Sequence, residues 1–317
     1  MMVTNRKNKQ QKTVLMYTYF EALINRKREA GNHSTADLYR AVNNWLSKFT
    51  KGHPLMLREI TPNFVENFSS YLQSLGYLTT NTIVTYISNF RAMYNTAIRE
   101  RIIHPKFPPF ANLSFRKEKT AKRAISRKAI ENICQLNLQQ EPDLAMSADL
   151  CIFSFLACGI PFVDLAHLTK DNIIEEDIIY NRIKTGTLIR IRITEGMRRL
   201  LNKYEGQNGI YLFPILKKGT ETLHEEYKAL LHTYNNDLKE IGNRLEIAVH
   251  LTSYVIRHTW ATEALKQHIP IAIISQALGH TSERTTRYYL DQLDQSELNN
   301  ANILIIGSVD CIAGRRA

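Results

Sequence analysis

The segment SYVIRHTWATEALKQHIPIAIISQALGHTSERTTRYYL, residues 253–290, gathers residue types suited to chemistry on a phosphate. Arg257 carries a guanidinium that stays charged at physiological pH, and its planar fork can hold two phosphate oxygens at once, which a lysine cannot reproduce. His258 and His280 can donate or accept protons near neutrality. Tyr288 and Tyr289 offer phenol oxygens, and with an ordinary pKa near 10 such an oxygen attacks only if a positive field or a base helps remove its proton. Displacement at a phosphodiester places extra negative charge on the two non-bridging oxygens, and preorganised cations lower that barrier most effectively. Taken singly, each residue also has a bland reading: a lone tyrosine is more often a packing residue with a satisfied hydroxyl.

Around this segment the chain reads as two mainly helical halves. In the first, Val14, Tyr17, Phe20 and Ile24 recur at helical spacing, and Leu38, Val42, Trp45, Leu46 and Phe49 fall on one face of a second helix. Thr61 as N-cap and Pro62 at the first helical position open a third, carrying Phe64, Phe68, Tyr71 and Leu72, which Gly76 closes. A fourth from about Thr80 buries Ile83, Ile87, Phe90, Tyr94 and Ala97 and exposes Arg91. The stretch HPKFPPFANLSFRKEKTAKR combines three prolines with a basic cluster and no periodicity, as an interdomain linker would.

The second half opens with a helix near Ser126 and another from about Leu144 to Cys158. Residues 172–194 are rich in β-branched and apolar types and contain the turn signal Thr185-Gly186-Thr187, which predicts a small antiparallel sheet with Lys184 at its tip. Helices return from Glu195, over Thr220–Ile241, Thr252–Gln267 and Pro270–Leu278. The predicted divisions are a basic tail 1–12, a helical domain 13–105, a basic linker 106–125, a second domain 126–300 and a tail 301–317.

Bulk properties agree with a folded protein that meets a polyanion. At 44% hydrophobic and 22% charged residues the chain has the composition of a globular protein, and its net charge of +11 attracts nucleic acid. Cys134, Cys151, Cys158 and Cys311 lack zinc-site spacing, which fits a reducing compartment, and three of them sit in apolar surroundings and read as core residues. The most apolar run, 151–163, is too short to span a bilayer and reads as a buried helix, and no signal peptide follows the basic N-terminus. A cytoplasmic, nucleoid-associated protein without membrane contact is expected.

The 253–290 segment resembles the C-terminal signature of the tyrosine recombinase, or phage integrase, family: roughly H-x-x-R-H-T, then L-G-H, then T-x-x-Y with its tyrosine nine residues beyond the last histidine. Arg257-His258-Thr259, Leu278-Gly279-His280 and Tyr289 fall in register, and the count from His280 selects Tyr289 over Tyr288. The K-T-G of NRIKTGTLIRIRIT matches the family's hairpin lysine at Lys184. FLACGIPFVDLAHLTKDNI resembles the first box, in which an arginine after Gly-x is followed three residues later by an acid; Asp164 matches the acid, but Pro161 holds the arginine's place. Recombinases resembling those of Bacteroides mobile elements also lack that arginine and carry one just before the glycine, where this chain has Cys158. Arg123, Arg190 and Arg192 are candidate substitutes, and Tyr254 stands where the pattern has histidine.

The resemblance implies a mainly α fold with a small antiparallel sheet, made of an N-terminal SAM-like core-binding bundle and a C-terminal DNA breaking-rejoining catalytic domain. It implies site-specific recombination through a covalent 3′-phosphotyrosyl intermediate, with Tyr289 as nucleophile, Arg257 and His280 stabilising charge, Lys184 as general acid, Tyr254 a site residue but a poor base, and His258 structural. No metal, cofactor or ATP is expected. The implied partners are double-stranded DNA, three further copies of the chain in a tetramer on two DNA sites, and accessory DNA-bending host factors, with apolar residues 296–306 available for docking on a neighbour. Two alternatives stand: a catalytically lapsed DNA-binding regulator, supported by the missing arginine, and a type IB-like topoisomerase using the same chemistry.

Overall fold

The computed structural model describes residues 14–111, 117–118, 123–207, 209–216 and 224–289, the side chains of Tyr288 and Tyr289 excepted. The basic tail, much of the linker, residues 296–306 and Cys311 lie outside the described residues. The chain divides into two compact units, residues 1–120 and 121–317.

The first unit is a helical bundle of α1 (Met16–Glu29), α2 (His33–Phe49), α3 (Pro62–Ser74) and α4 (Thr80–Arg99). Thr61 caps α3 by accepting from the Phe64 N–H at 3.2 Å, ahead of Pro62, whose missing N–H costs nothing at that position. Phe90 is the hub of the core, edge-on to Phe20, Phe68 and Phe110 at 6.0, 5.8 and 5.1 Å between ring centres. Two expectations are corrected. The buried face of α2 runs through Ala36, Tyr39, Val42, Asn43 and Leu46, about one residue round from the predicted stripe, so Leu38 is 37% exposed. Arg91 is half-buried rather than exposed, because Nη2 donates to the Phe110 carbonyl at 2.8 Å and the guanidinium lies over the Phe110 ring.

The second unit packs α5 (Arg127–Cys134), α8 (Glu195–Tyr204), α9 (His224–Arg244) and α10 (Ser253–Lys266) around α6 (Pro142–Leu156). Phe153 of α6 meets Phe213 edge-on at 4.8 Å, and Phe162 stacks on Tyr234 at 4.6 Å. Three antiparallel strands in the order β1 (Ile173–Ile174), β2 (Asp177–Asn181), β3 (Leu188–Arg192) follow α7 (Phe162–His167), with Tyr180 opposite Ile189 and Ile178 opposite Ile191. The chain continues into α11 (Ile271–Ala277) and α12 (Glu283–Tyr289). Mainly helical with one small antiparallel sheet, this is the expected fold class. The 151–163 run is not one buried helix: α6 ends at Leu156, and a turn through Cys158 and Gly159, both at positive φ, redirects the chain into α7. Cys151 is buried, but Cys134 is exposed at the end of α5, where the helix turns it away from Ile130 and Ile133. No helix among the described residues is long and apolar enough to cross a membrane.

Candidate active site

Three backbone corners of the second unit converge on the Arg257 guanidinium. The first is the turn after α6, where Gly159 donates its N–H to the Ser154 carbonyl and offers its own carbonyl to Arg257 Nη1 at 2.8 Å. Gly159 has φ +69°, and a Cβ there would lie 2.9 Å from the Arg257 Cα, so only glycine lets this turn press against α10. The second is the end of α11. Gly279 sits in the left-handed conformation at φ +63°, its N–H bonds the Gln276 carbonyl, and the His280 N–H bonds the Ser275 carbonyl. That is a Schellman cap, which explains why leucine, glycine and histidine follow one another here. It leaves the Leu278 and Gly279 carbonyls facing outward at the negative end of the helix.

Arg257, 5% exposed, donates Nη2 to the Leu278 carbonyl and approaches His280 Nε2 at 3.4 Å. The third corner is the β2–β3 hairpin. Arg182 follows β2 and donates Nη1 to the same Leu278 carbonyl at 2.8 Å and Nε to Asp164 Oδ2 at 3.1 Å. Asp164 Oδ1 accepts from the Ile183 N–H at 2.9 Å, and Thr185 Oγ1 donates to the Gly279 carbonyl at 3.3 Å. Lys184, exposed in the turn between these anchors, is therefore held beside the α11 cap. Two guanidinium nitrogens sharing one carbonyl lie within about 6 Å, since each N–H···O bond spans about 3 Å. At an effective dielectric of about 20 two such charges repel by about 3 kcal/mol, which Asp164 and the cap carbonyls offset.

His280 feels this field. Burial first, then Arg257, Arg182 and Lys184, pull its pKa down to about 4. The imidazole is neutral at neutral pH; with Nε2 facing a guanidinium, the proton is assigned to Nδ1, which donates to Thr286 Oγ1 at 2.8 Å. Thr286, fully buried, lies on α12 three residues before Tyr289, which ends that helix. His258 is likewise pulled down to about 4, by burial, then Arg123 and Arg257. Tyr254 is 47% exposed, its ring edge-on to His258 at 4.5 Å.

Both histidines have folded-state pKa values below the ordinary 6.5, so the unfolded chain takes up protons that the folded chain refuses. Their contribution to stability is full above about pH 6.5 and is lost as pH falls toward 4. The chain is expected to lose roughly 1–3 kcal/mol across that window, discounted because both rings are only partly buried. Urea melts at pH 7 and 5 measure this, and His280→Gln should shrink the difference.

The structure thus brings together Arg257, His280 and the Lys184 hairpin, with Tyr289 on the helix tied to His280 through Thr286. Arg182, which the sequence reading does not single out, joins this cluster through Asp164 and the Leu278 carbonyl. Of the three candidate substitutes, Arg190 and Arg192 pair with Asp177 on the outer side of the sheet, and Arg123 acts on His258. No group of three or more His, Cys, Asp or Glu able to hold a metal occurs among the described residues.

Residues 125–296 match the phage integrase family, and residues 15–115 match the phage integrase SAM-like domain. The chain belongs to the phage integrase family. It is 25% identical over 134 residues to the tyrosine recombinase XerA of Saccharolobus solfataricus, covering 38% of this chain and 45% of that protein. It is 30% identical over 96 residues to a tyrosine recombinase of Thermosipho africanus, covering 28% and 34%. The chain thus spans less than half the length of these relatives. Solved integrases share the fold across both units. A lambda integrase dimer bound to a COC' core site has a TM-score of 0.64 at 18% identity, over 89% of this chain and 80% of that one. The Tn1549 transposon integrase in complex with transposon right-end DNA has 0.64 at 14%, over 92% and 99%. A lambda integrase tetramer on a Holliday junction has 0.60 at 15%, over 89% and 80%.

Proposed function

We propose that this phage integrase family member is a site-specific DNA recombinase, in which the Tyr289 oxygen attacks a backbone phosphorus, forms a 3′-phosphotyrosyl bond and expels the 5′-oxygen. The observation that carries the reading is the junction of Arg257, His280 and the Lys184 hairpin on the cap of α11, one helix before Tyr289. Arg257 stabilises the non-bridging oxygens, and a phosphate next to His280 raises the histidine pKa again and makes Nε2 a donor. Lys184, on a long side chain at the hairpin tip, delivers the proton that the leaving 5′-oxygen needs. Tyr254, half-exposed and edge-on to His258, offers its hydroxyl as a hydrogen-bonding group rather than a base. The phosphotyrosyl bond conserves the energy of the bond it replaces, so rejoining draws on no nucleotide hydrolysis.

The net charge of +11 fits phosphate contacts along the duplex, with binding that weakens steeply as salt rises. The first unit grips DNA as the core-binding domain and the second performs the chemistry. Four copies on two DNA sites complete the exchange, a reading that the lambda integrase tetramer on a Holliday junction supports; DNA-bending host factors in the nucleoid are proposed as further partners. The absence of an arginine at Pro161 supports a subtype resembling integrases of Bacteroides mobile elements, although Cys158 stands where those carry their own arginine.

Junction sequencing of the DNA flanking the gene tests the reading: new junctions are expected with the intact gene and none after its deletion. Specific DNA binding without junctions or cleavage would identify a lapsed regulator, and relaxation of plasmid lacking any specific site would identify a topoisomerase.

A further inference from the structure

We propose that Arg182 supplies the second phosphate-holding guanidinium of the active site, entering from the hairpin where the family's pattern brings an arginine from the first box. This rests on the recombinase reading above. Arg182 is 7% exposed, and its fork is two-thirds committed: Nε to Asp164, Nη1 to the Leu278 carbonyl. Nη2 takes no part in these bonds. The fork is therefore held rigidly from one side with a donor edge left over, beside the Arg257 guanidinium that shares its carbonyl.

The surroundings are built for this side chain. A Cβ on Gly279 would lie 2.3 Å from Arg182 Cδ, so the glycine of the α11 cap makes the berth in which the arginine lies. Asp164, which the first box keeps, anchors the Arg182 guanidinium, while Pro161, where that box has its arginine, serves as the N-cap residue of α7. The first box supplies the anchor and the hairpin supplies the cation. Arg257, Arg182 and Lys184 stand against the carboxylate of Asp164, leaving an excess of positive charge that a phosphodiester partly neutralises. The competing role is a strut that merely locks the hairpin to the cap.

The discriminating experiment uses the full chain and DNA carrying its native recombination site, with the scissile phosphate either intact or as a methylphosphonate, which is neutral because a methyl group replaces one non-bridging oxygen. The same bonds form and break on both: tyrosine oxygen to phosphorus, phosphorus to 5′-oxygen, with a proton to the leaving oxygen. The paired variant Arg182→Gln, Asp164→Asn removes both charges and keeps an acceptor for the Ile183 N–H. Covalent adduct formation is expected to fall ~10²–10³-fold on the phosphodiester and to stay within about tenfold of wild type on the methylphosphonate. Arg190→Ala, on the outer side of the sheet, should match wild type on both. Equal losses on the two substrates would establish the strut, and no loss on either would remove Arg182 from the site; both overturn the proposal while the recombinase reading stands. A wild-type chain that forms no adduct on either substrate would overturn that reading and this one together. If the paired variant lacks a cooperative melt, Arg182→Lys carries the same comparison, with a smaller loss on the phosphodiester and the same recovery.

Discussion

Tyr289→Phe is expected to bind its DNA site as wild type does and to form no covalent adduct, a loss of at least about 10⁴-fold in cleavage. Phenylalanine keeps the ring but has no oxygen to bond to phosphorus, and no water or neighbouring group can create a protein–DNA link in its place. Tyr288 is no substitute, because adjacent helix positions are turned by about 100°. Tyr288→Phe should accordingly retain the adduct. The measurement is a denaturing gel of labelled DNA nicked just beyond the scissile phosphate, so that the departing strand diffuses away and the intermediate accumulates. An adduct that persists in Tyr289→Phe and disappears in Tyr288→Phe would move the nucleophile by one residue and undo the register counted from His280.

Much of this site is legible in the sequence because its parts are local. The cap at Leu278-Gly279-His280 is a short motif with a backbone reason for its glycine, and the 3.6-residue period marks the helices on either side. Arg182 escapes notice although a local signal exists. In β2, Ile178 and Tyr180 face inward, and the same two-residue alternation carries Arg182 inward after them. The alternation of β3 turns Ile189 and Ile191 in and Arg190 and Arg192 out, which by itself removes the latter two as substitutes. What alternation cannot give is the partner: Asp164 lies 18 residues upstream on another element, and their pairing is a product of the tertiary fold. The misplaced stripe on α2 has a similar origin, since Leu38 and Tyr39 satisfy the helical period almost equally and packing selects Tyr39. The apolar run 151–163 hides a turn because Cys158 adopts a left-handed conformation that sequence does not advertise for cysteine.

The buried pair that Asp164 forms also sets the largest expected effect on stability. Asp164 has a fully buried side chain and Arg182 a nearly buried one, and the carboxylate serves two donors, the Arg182 Nε and the Ile183 N–H. Asp164→Ala leaves a guanidinium without its counter-charge and a backbone N–H without an acceptor, a loss of about 3–5 kcal/mol. For a unit of this size that corresponds to a melting temperature lower by roughly 10 °C. Because the pair is buried, the loss should persist at high salt, unlike that of an exposed pair such as Arg199–Glu195. Asp164→Asn should cost less, as its amide oxygen can still accept from Ile183. Replacing both charges with apolar residues, Asp164→Leu with Arg182→Met, is expected to recover most of the stability, since such a swap avoids the cost of burying charge. Recovery of stability in that double variant without recovery of DNA cleavage would show that this chain keeps the Asp164–Arg182 pair for its chemistry rather than for its fold. A loss below about 1 kcal/mol in Asp164→Ala would instead place the pair among surface-like ion pairs and remove it as the anchor of the hairpin.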